Sequence, residues 1–328
     1  MFSRKPSKAG IIGLGIIGSR VAEVHRQAGL HVYVWSRSPK PEPNFVSSPE
    51  EVATLAEHIE IFVPGGEDLV EVVEAMAPQL TKKHFVINHS TVSLEATLKA
   101  ASLVQAAGAR FADCPFTGSR DAAAAGKLVY YLSAPAAIAD KIRPLLELSS
   151  REILQVGESP GQATVLKIAT NMISATTVQA LSESLALTRS QGITGEALGE
   201  ALALNACASD LTQMKLPTMI AGDYTPHFSL RNMFKDAQFA LSLANQADLE
   251  LPALSTTASV MFNTIRRGRG EEDYSVVCDN FKPRESRVRA EKTDSEEEPA
   301  EEIPSAAPET EAPEDEPETE KKPAAPAS

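Results

Sequence analysis

The sequence predicts an α/β protein in four parts. A doubly wound sheet runs through residues 1–160, and a long inter-domain helix opens at residue 161. An all-helical domain follows to residue 283, and a disordered acidic tail covers 284–328. Three observations lead there. Short apolar runs alternate with helical patterning as far as residue 160, which is the signature of βα units. Past residue 161 only helical periodicity remains. Beyond residue 283 no usable core is left.

Composition bounds the function. The 328 residues are 43% apolar and 5% aromatic, enough for two domains with substantial cores. The net charge of −13 is uneven: residues 290–328 hold 14 Asp/Glu against 3 Lys, leaving 30 acidic and 28 basic residues before them. A nearly neutral body argues against nucleic acid and anionic membrane as partners. Cys114, Cys207 and Cys278 are scattered without metal-ligand spacing, as in a reducing compartment. The basic start Arg4-Lys5 is followed by a run broken by Gly10, Gly13, Gly15 and Gly18, then by Arg20 and Glu23. That is no signal segment, and no run is long enough to span a membrane. A cytoplasmic protein is expected.

Residues 8–12 form the first strand and lead into Gly13-Leu14-Gly15-Ile16-Ile17-Gly18, an amphipathic helix to about Ala28, and a second strand at 31–35. A strand, G-x-G-x-x-G, helix, strand unit is the fingerprint of a Rossmann dinucleotide site. The glycines permit a tight turn, close approach of a pyrophosphate, and close packing of helix on strand. The helix N-terminus supplies N–H groups and a positive dipole end. The second strand ends in Trp35-Ser36-Arg37-Ser38, with no acid before Glu42. A carboxylate there would bind a ribose 2′-hydroxyl, whereas an Arg fork and two serines suit a 2′-phosphate. NADP(H) is therefore expected over NAD(H).

Further strands are expected at 59–63, 85–87, 110–113 and 128–132. The third ends at Val63-Pro64-Gly65-Gly66 and the fourth at Asn88-His89-Ser90-Thr91, and ligands of such sheets bind beyond strand C-termini. Val63, Pro64, Ser90 and Thr91 are thus cofactor-side candidates, although one of the two hydroxyls also suits a helix N-cap. None of the six His residues forms a metal-like cluster with Cys or carboxylates.

The helix from residue 161 carries Leu166, Ile168, Ala169, Met172, Ile173, Leu181, Leu185 and Leu187, too apolar for a surface helix. Lys167 and Asn171 are four apart and share a face. Desolvation lowers the pKa of a lysine in such a setting toward proton-transfer range, though the same residue also suits a snorkelling lysine. Helices are expected at 194–206, 210–220, 230–247, 252–267 and 272–280, with Lys235-Asp236 as a second misplaced charge pair in an apolar segment.

Four features stand in fixed order: the fingerprint, Asp113-Cys114-Pro115-Phe116-Thr117-Gly118-Ser119, Gly161…Lys167…Asn171, and Lys235-Asp236. Together they resemble the β-hydroxyacid dehydrogenase family, which includes 3-hydroxyisobutyrate dehydrogenases and tartronate semialdehyde reductases. The family's substrate motif D-x-P-x-S-G-G ends here in Thr117-Gly118-Ser119, and its G-x-G-x-x-x-K-x-x-x-N has Ala163 for the second Gly. The Gly-Ser ending and the stretch at 226–236 are most similar to the glyoxylate/succinic semialdehyde reductase branch, which uses NADPH. The resemblance implies a small carbonyl or hydroxy acid substrate and a homodimer or homotetramer. It makes Lys167 the general acid, with Asn171 orienting it. Thr117 and Gly118 would hold the substrate carboxylate, and Lys235 would close over nicotinamide and substrate. Imine reductases share this architecture but typically lack the lysine. A non-catalytic oligomerising module with a partner-binding acidic tail is the alternative from another class, and the retained Lys167 argues against both.

Overall fold

The computed structural model describes residues 6–281, and the acidic tail expected from residue 284 lies outside them. The first half alternates β1 (Lys8–Ile12), α1 (Gly18–Gln27), β2 (His31–Trp35), α2 (Pro49–Leu55), β3 (His58–Ile61), α3 (Gly66–Met76), β4 (Phe85–Asn88), α4 (Leu94–Ala106) and β5 (Arg110–Asp113). β6 (Phe116–Thr117), α5 (Arg120–Ala124), β7 (Leu128–Ser133), α6 (Ala136–Leu146) and β8 (Ser150–Gly157) complete it. The second half is helical: α7 (Gln162–Ser190), α8 (Gly195–Ala203), α9 (Asp210–Ala221), α10 (Leu230–Gln246) and α11 (Pro252–Thr264).

The strands lie in the order β2-β1-β3-β4-β5-β7-β6, with β8 on β7. From β2 to β5 every pairing is parallel; β7 then meets β5 antiparallel at Asp113 and Ser133. The sheet is buried on both faces, which is why its strands read as continuous apolar runs rather than as alternation. Ile11, Ile87 and Ala112 join one core, and their neighbours Ile12, Val86 and Phe111 join the other. Strand order reverses about β1, with β2 on one side and β3 on the other. That reversal opens a crevice at the strand C-termini.

Two strands, β6 and β8, lie outside the expected set. β6 is only two residues long, and β8 buries only Ile153, so neither carries a readable pattern. The α7 helix is 29 residues, about 44 Å at 1.5 Å per residue. It is less uniformly buried than its composition suggests: Ile168, Leu181 and Leu185 are buried, but Ile173 and Leu187 are 60% and 66% exposed. The α8 helix ends at Ala203 rather than 206; just beyond it the Asn205 side chain accepts the Cys207 amide, a local bond that competes with helix. The segment expected as a helix at 272–280 is a 3₁₀ helix, Tyr274–Phe281. The chain reaches it through a widened turn in which Gly268 has φ 86°.

The described residues fall in one compact unit, with the two halves packed together. Among them no helix is long and apolar enough to cross a membrane.

Candidate active site

A cleft of ≈ 840 Å³ lies over the reversal point of the sheet. The fingerprint loop from Gly13 to Gly18, Ser36, Arg37, Ser38, Val63, Pro64, Ser90 and Thr91 line it from one side, and Lys235 and Asp236 from the helical half. The three fingerprint glycines act differently. A Cβ on Gly13, whose φ is 96°, would come within 2.1 Å of the Phe62 carbonyl oxygen, and one on Gly18 within 2.0 Å of the Gly13 carbonyl oxygen. Nothing lies within 4 Å of a Cβ on Gly15. Two glycines therefore let backbone approach backbone, while the middle one leaves room for a ligand. Helix α1 starts with no side-chain cap and no acid in its first turn, so its dipole end is available to a pyrophosphate. The loop and helix end fit a dinucleotide.

The end of the cleft beside β2 is more crowded with charge than the sequence suggests. One nitrogen of Arg37, Nη2, donates to Asp68 Oδ1 at 2.7 Å and to Glu71 Oε2 at 2.8 Å. Ser36 Oγ donates to the Ser38 carbonyl at 2.7 Å, and Lys40 Nζ reaches back to the Leu14 carbonyl. At the other strand ends, the Ser90 hydroxyl accepts the Val63 amide at 2.8 Å and so ties β4 to β3. The cap of α4 is neither Ser90 nor Thr91 but Ser93, whose hydroxyl accepts the Ala96 amide.

Helix α7 is held at its start by β5. Gly161 has φ 95°, and its amide donates to Asp113 Oδ2 at 3.0 Å. The Thr164 amide donates to the same oxygen at 2.9 Å, and the Thr164 hydroxyl to Oδ1 at 2.8 Å. Ser133 Oγ on β7 accepts the Ala163 amide at 3.1 Å. Burial pushes the Asp113 carboxyl upward, and the donors from Thr164, Gly161 and Ser133 pull it back toward the ionised form.

This clamp places Lys167 one turn further along. Lys167 is half-buried, and loss of solvent lowers its ammonium to about 8, with Asp236 pulling the other way. Asp236 is 1% exposed; its Oδ2 accepts the Asn171 amide at 2.7 Å, and Lys235 Nζ stands 3.5 Å from its Oδ1. Burial raises the Asp236 carboxyl, and the charge of Lys235 and the bond from Asn171 oppose the shift. Lys167 and Asn171 both adjoin Asp236, which lines the cleft. Lys235 also bridges the two halves, donating to the Thr91 carbonyl at 2.7 Å and the Pro64 carbonyl at 3.2 Å. On the substrate-motif turn, Phe116 and Gly118 line the cleft, while Thr117 between them pairs with Val129 in the sheet.

Asp236 is the member of this group that the sequence reading left without a role. Its signal was present. On α10 the buried residues run Met233, Asp236, Ala237, Ala240 and Ala244, so the carboxylate occupies a core position of the helical stripe. Two further buried networks escaped notice. Glu60 on β3 is fully buried between His25 Nε2 at 2.7 Å and His89 Nε2 at 3.1 Å, and His89 Nδ1 lies 2.6 Å from the Cys114 carbonyl. Burial would raise Glu60, but the two imidazoles overcome it and hold it at about 2. Asp273 pairs with buried Lys215 at 2.6 Å and accepts the amides of His227 and Phe228, both of which line the cleft.

The class these features point to is the nicotinamide-dependent oxidoreductases. The model of the NAD-binding domain of 6-phosphogluconate dehydrogenase matches residues 8–157. That of the NAD-binding region of NADP-dependent 3-hydroxyisobutyrate dehydrogenase matches residues 161–280. Glyoxylate/succinic semialdehyde reductase 2, chloroplastic, of Arabidopsis thaliana is 26% identical over 289 residues, covering 85% of this chain and 80% of the relative. Among solved structures, a 3-hydroxyisobutyrate dehydrogenase of Mycobacterium tuberculosis with L-serine superposes with a TM-score of 0.78 at 20% identity, covering 84% of this chain and 99% of that one. Psf3 in complex with NADP+ and 2-OPP gives 0.75 at 21% identity, covering 83% and 99%. The chain belongs to the β-hydroxyacid dehydrogenase family and is an NAD(P)-dependent oxidoreductase.

Proposed function

We propose that the enzyme uses NADPH to reduce a small aldehyde or oxo carboxylate, such as glyoxylate or succinic semialdehyde, to the hydroxy acid, with Lys167 as general acid. The observation that carries this reading is the Lys167–Asp236–Asn171 group at the edge of the cleft, with an ammonium lowered to about 8. A proton donor works best with a pKa near the operating pH, and burial supplies that shift. Bound NADPH supplies the hydride. Lys167 gives its proton to the carbonyl oxygen, and in the reverse direction the neutral amine takes it from the alcohol. Asn171 holds Asp236, which sustains the charge on Lys167. Thr117 and Gly118 hold the substrate carboxylate, Lys235 closes the nicotinamide end, and Ser90 and Thr91 lie on the cofactor side.

Preference for NADPH rests on Ser36, Arg37 and Ser38 at the end of β2, where a 2′-phosphate would meet the guanidinium. Residues 1–160 serve the cofactor in this reading, and residues 161–283 serve the substrate and assembly. A homodimer or homotetramer in the cytoplasm belongs to it too, and the exposed apolar Ile173, Leu187 and Leu204 support self-association.

A panel of aldehydes and oxo acids, followed by oxidation of NADPH and of NADH, tests the proposal. Turnover of short carboxylated carbonyls with NADPH is the expected result. Activity on imines alone would reject it.

A further inference from the structure

We propose that Asp68 and Glu71, on α3, moderate the enzyme's discrimination between 2′-phosphorylated and unphosphorylated dinucleotides by opposing a phosphate at Arg37. The proposal rests on the reading of Arg37 as the 2′-phosphate residue and adds the groups that act against it.

Both carboxylates bond the same nitrogen of Arg37, at 2.7 and 2.8 Å, and all three residues line the cleft together with Ser36 and Ser38. The group formed by one guanidinium and two carboxylates carries a net charge of −1, where Arg37 alone would present +1. Glu50 lines the cleft too. The cation nearest along the chain, Lys40, is bonded to the Leu14 carbonyl. Ser36 has its hydroxyl proton on the Ser38 carbonyl. A dianionic phosphate arriving there gains the guanidinium and is repelled by both acids. An unphosphorylated ribose brings no charge, and its 2′-hydroxyl can donate to a carboxylate, so it meets no such opposition. The carboxylates therefore narrow the gap between the two cofactors that Arg37 opens.

Sequence inspection at the end of β2 misses this because the acids come from α3, some thirty residues later. Asp68 and Glu71 are three apart, so both project from one face of that helix toward β2. In water, a unit charge facing a dianion across about 6–7 Å changes binding by roughly tenfold, falling to about threefold once screened by physiological salt.

The test is calorimetric titration of the ligand-free enzyme with 2′,5′-ADP and with 5′-AMP, for wild type, the double variant Asp68→Asn/Glu71→Gln, and Arg37→Ala. Glu71 is exposed and Asp68 half-buried, and a thermal melt of each variant verifies folding. The double variant should bind 2′,5′-ADP at least about threefold more tightly than wild type, with no such gain for 5′-AMP and the 2′,5′-ADP gain shrinking as salt is added. Unchanged 2′,5′-ADP affinity would overturn the proposal. So would weaker binding, which would mean that the acids hold Arg37 in its phosphate-binding pose. Arg37→Ala reports separately on the underlying reading: it should abolish the preference for 2′,5′-ADP over 5′-AMP. If it does not, Arg37 is not the phosphate residue, and both readings fall together. If it does while the double variant binds like wild type, only the role of Asp68 and Glu71 is lost.

Discussion

Asn171 on α7 donates its side-chain amide to Asp236 on α10 at 2.7 Å, joining positions 65 residues apart at a buried carboxylate. Asp236 is the group that holds up the charge on Lys167 against burial, so its removal has a signed consequence. With Lys167 as the proposed general acid, carbonyl reduction should fall as pH rises through about 8. Asp236→Asn takes away the opposing charge, and the alkaline limb of kcat for reduction should move to lower pH. In the oxidation direction the limb on which activity rises should move the same way. A limb that stays in place would show that Asp236 does not set the charge of Lys167.

Lys167→Met removes the ammonium and keeps most of the stem. General acid catalysis contributes ~10²–10⁴-fold, so kcat should fall by that order while NADPH affinity, measured by fluorescence titration, stays near wild type. A kcat within a few-fold of wild type would leave the reaction without its proton donor.

Glu60→Gln tests the buried carboxylate between His25 and His89. The folded carboxyl is held at about 2 against an ordinary 4.5, so its stabilisation is present above about pH 4.5 and lost as pH falls toward 2. Losing an ionised acceptor costs about 1.5–3 kcal/mol per buried hydrogen bond, so Tm at pH 7 should fall by several degrees. The gap between variant and wild type should close in acid, and a gap independent of pH would mean that the charge contributes nothing.

Asp273→Asn acts on the lip of the cleft. Lys215 is 1% exposed and would be left with a neutral partner, and the amides of His227 and Phe228 would lose a charged acceptor. Loss of stability by about 3–5 kcal/mol is expected. In the variant still folded at low temperature, KM should rise more than kcat falls. A melt like that of wild type would show that the pair is not holding the lip.

Much of this was legible because local pattern and tertiary role coincide. The fingerprint glycines stand next to the strand they turn from, and Lys167 and Asn171 share a helix face by spacing alone. What was hidden depends on partners distant in sequence. Glu60 reads as an interruption in a strand until His25 and His89 are placed beside it. Asp236 reads as the exposed mate of Lys235 until α10 is docked on α7. The edge strand β8 has too few buried positions to show alternation. Ile173 and Leu187 look like core in composition, yet only docking decides which side of a 29-residue helix is covered.

The attachment of α7 to Asp113 bears on how relatives of this enzyme can be recombined. The join between the two matched regions falls at residues 157–161, and a gene chimera would naturally be cut there. That cut separates one carboxylate from three of its donors, since Asp113 lies upstream and Gly161 and Thr164 downstream. A hybrid taking its first part from one relative and its second from another keeps Lys167 in place only if the acceptor at 113 and the hydroxyl at 164 are inherited as a pair. Crossovers placed before residue 110, which carry both, should give active hybrids more often than crossovers at the apparent boundary.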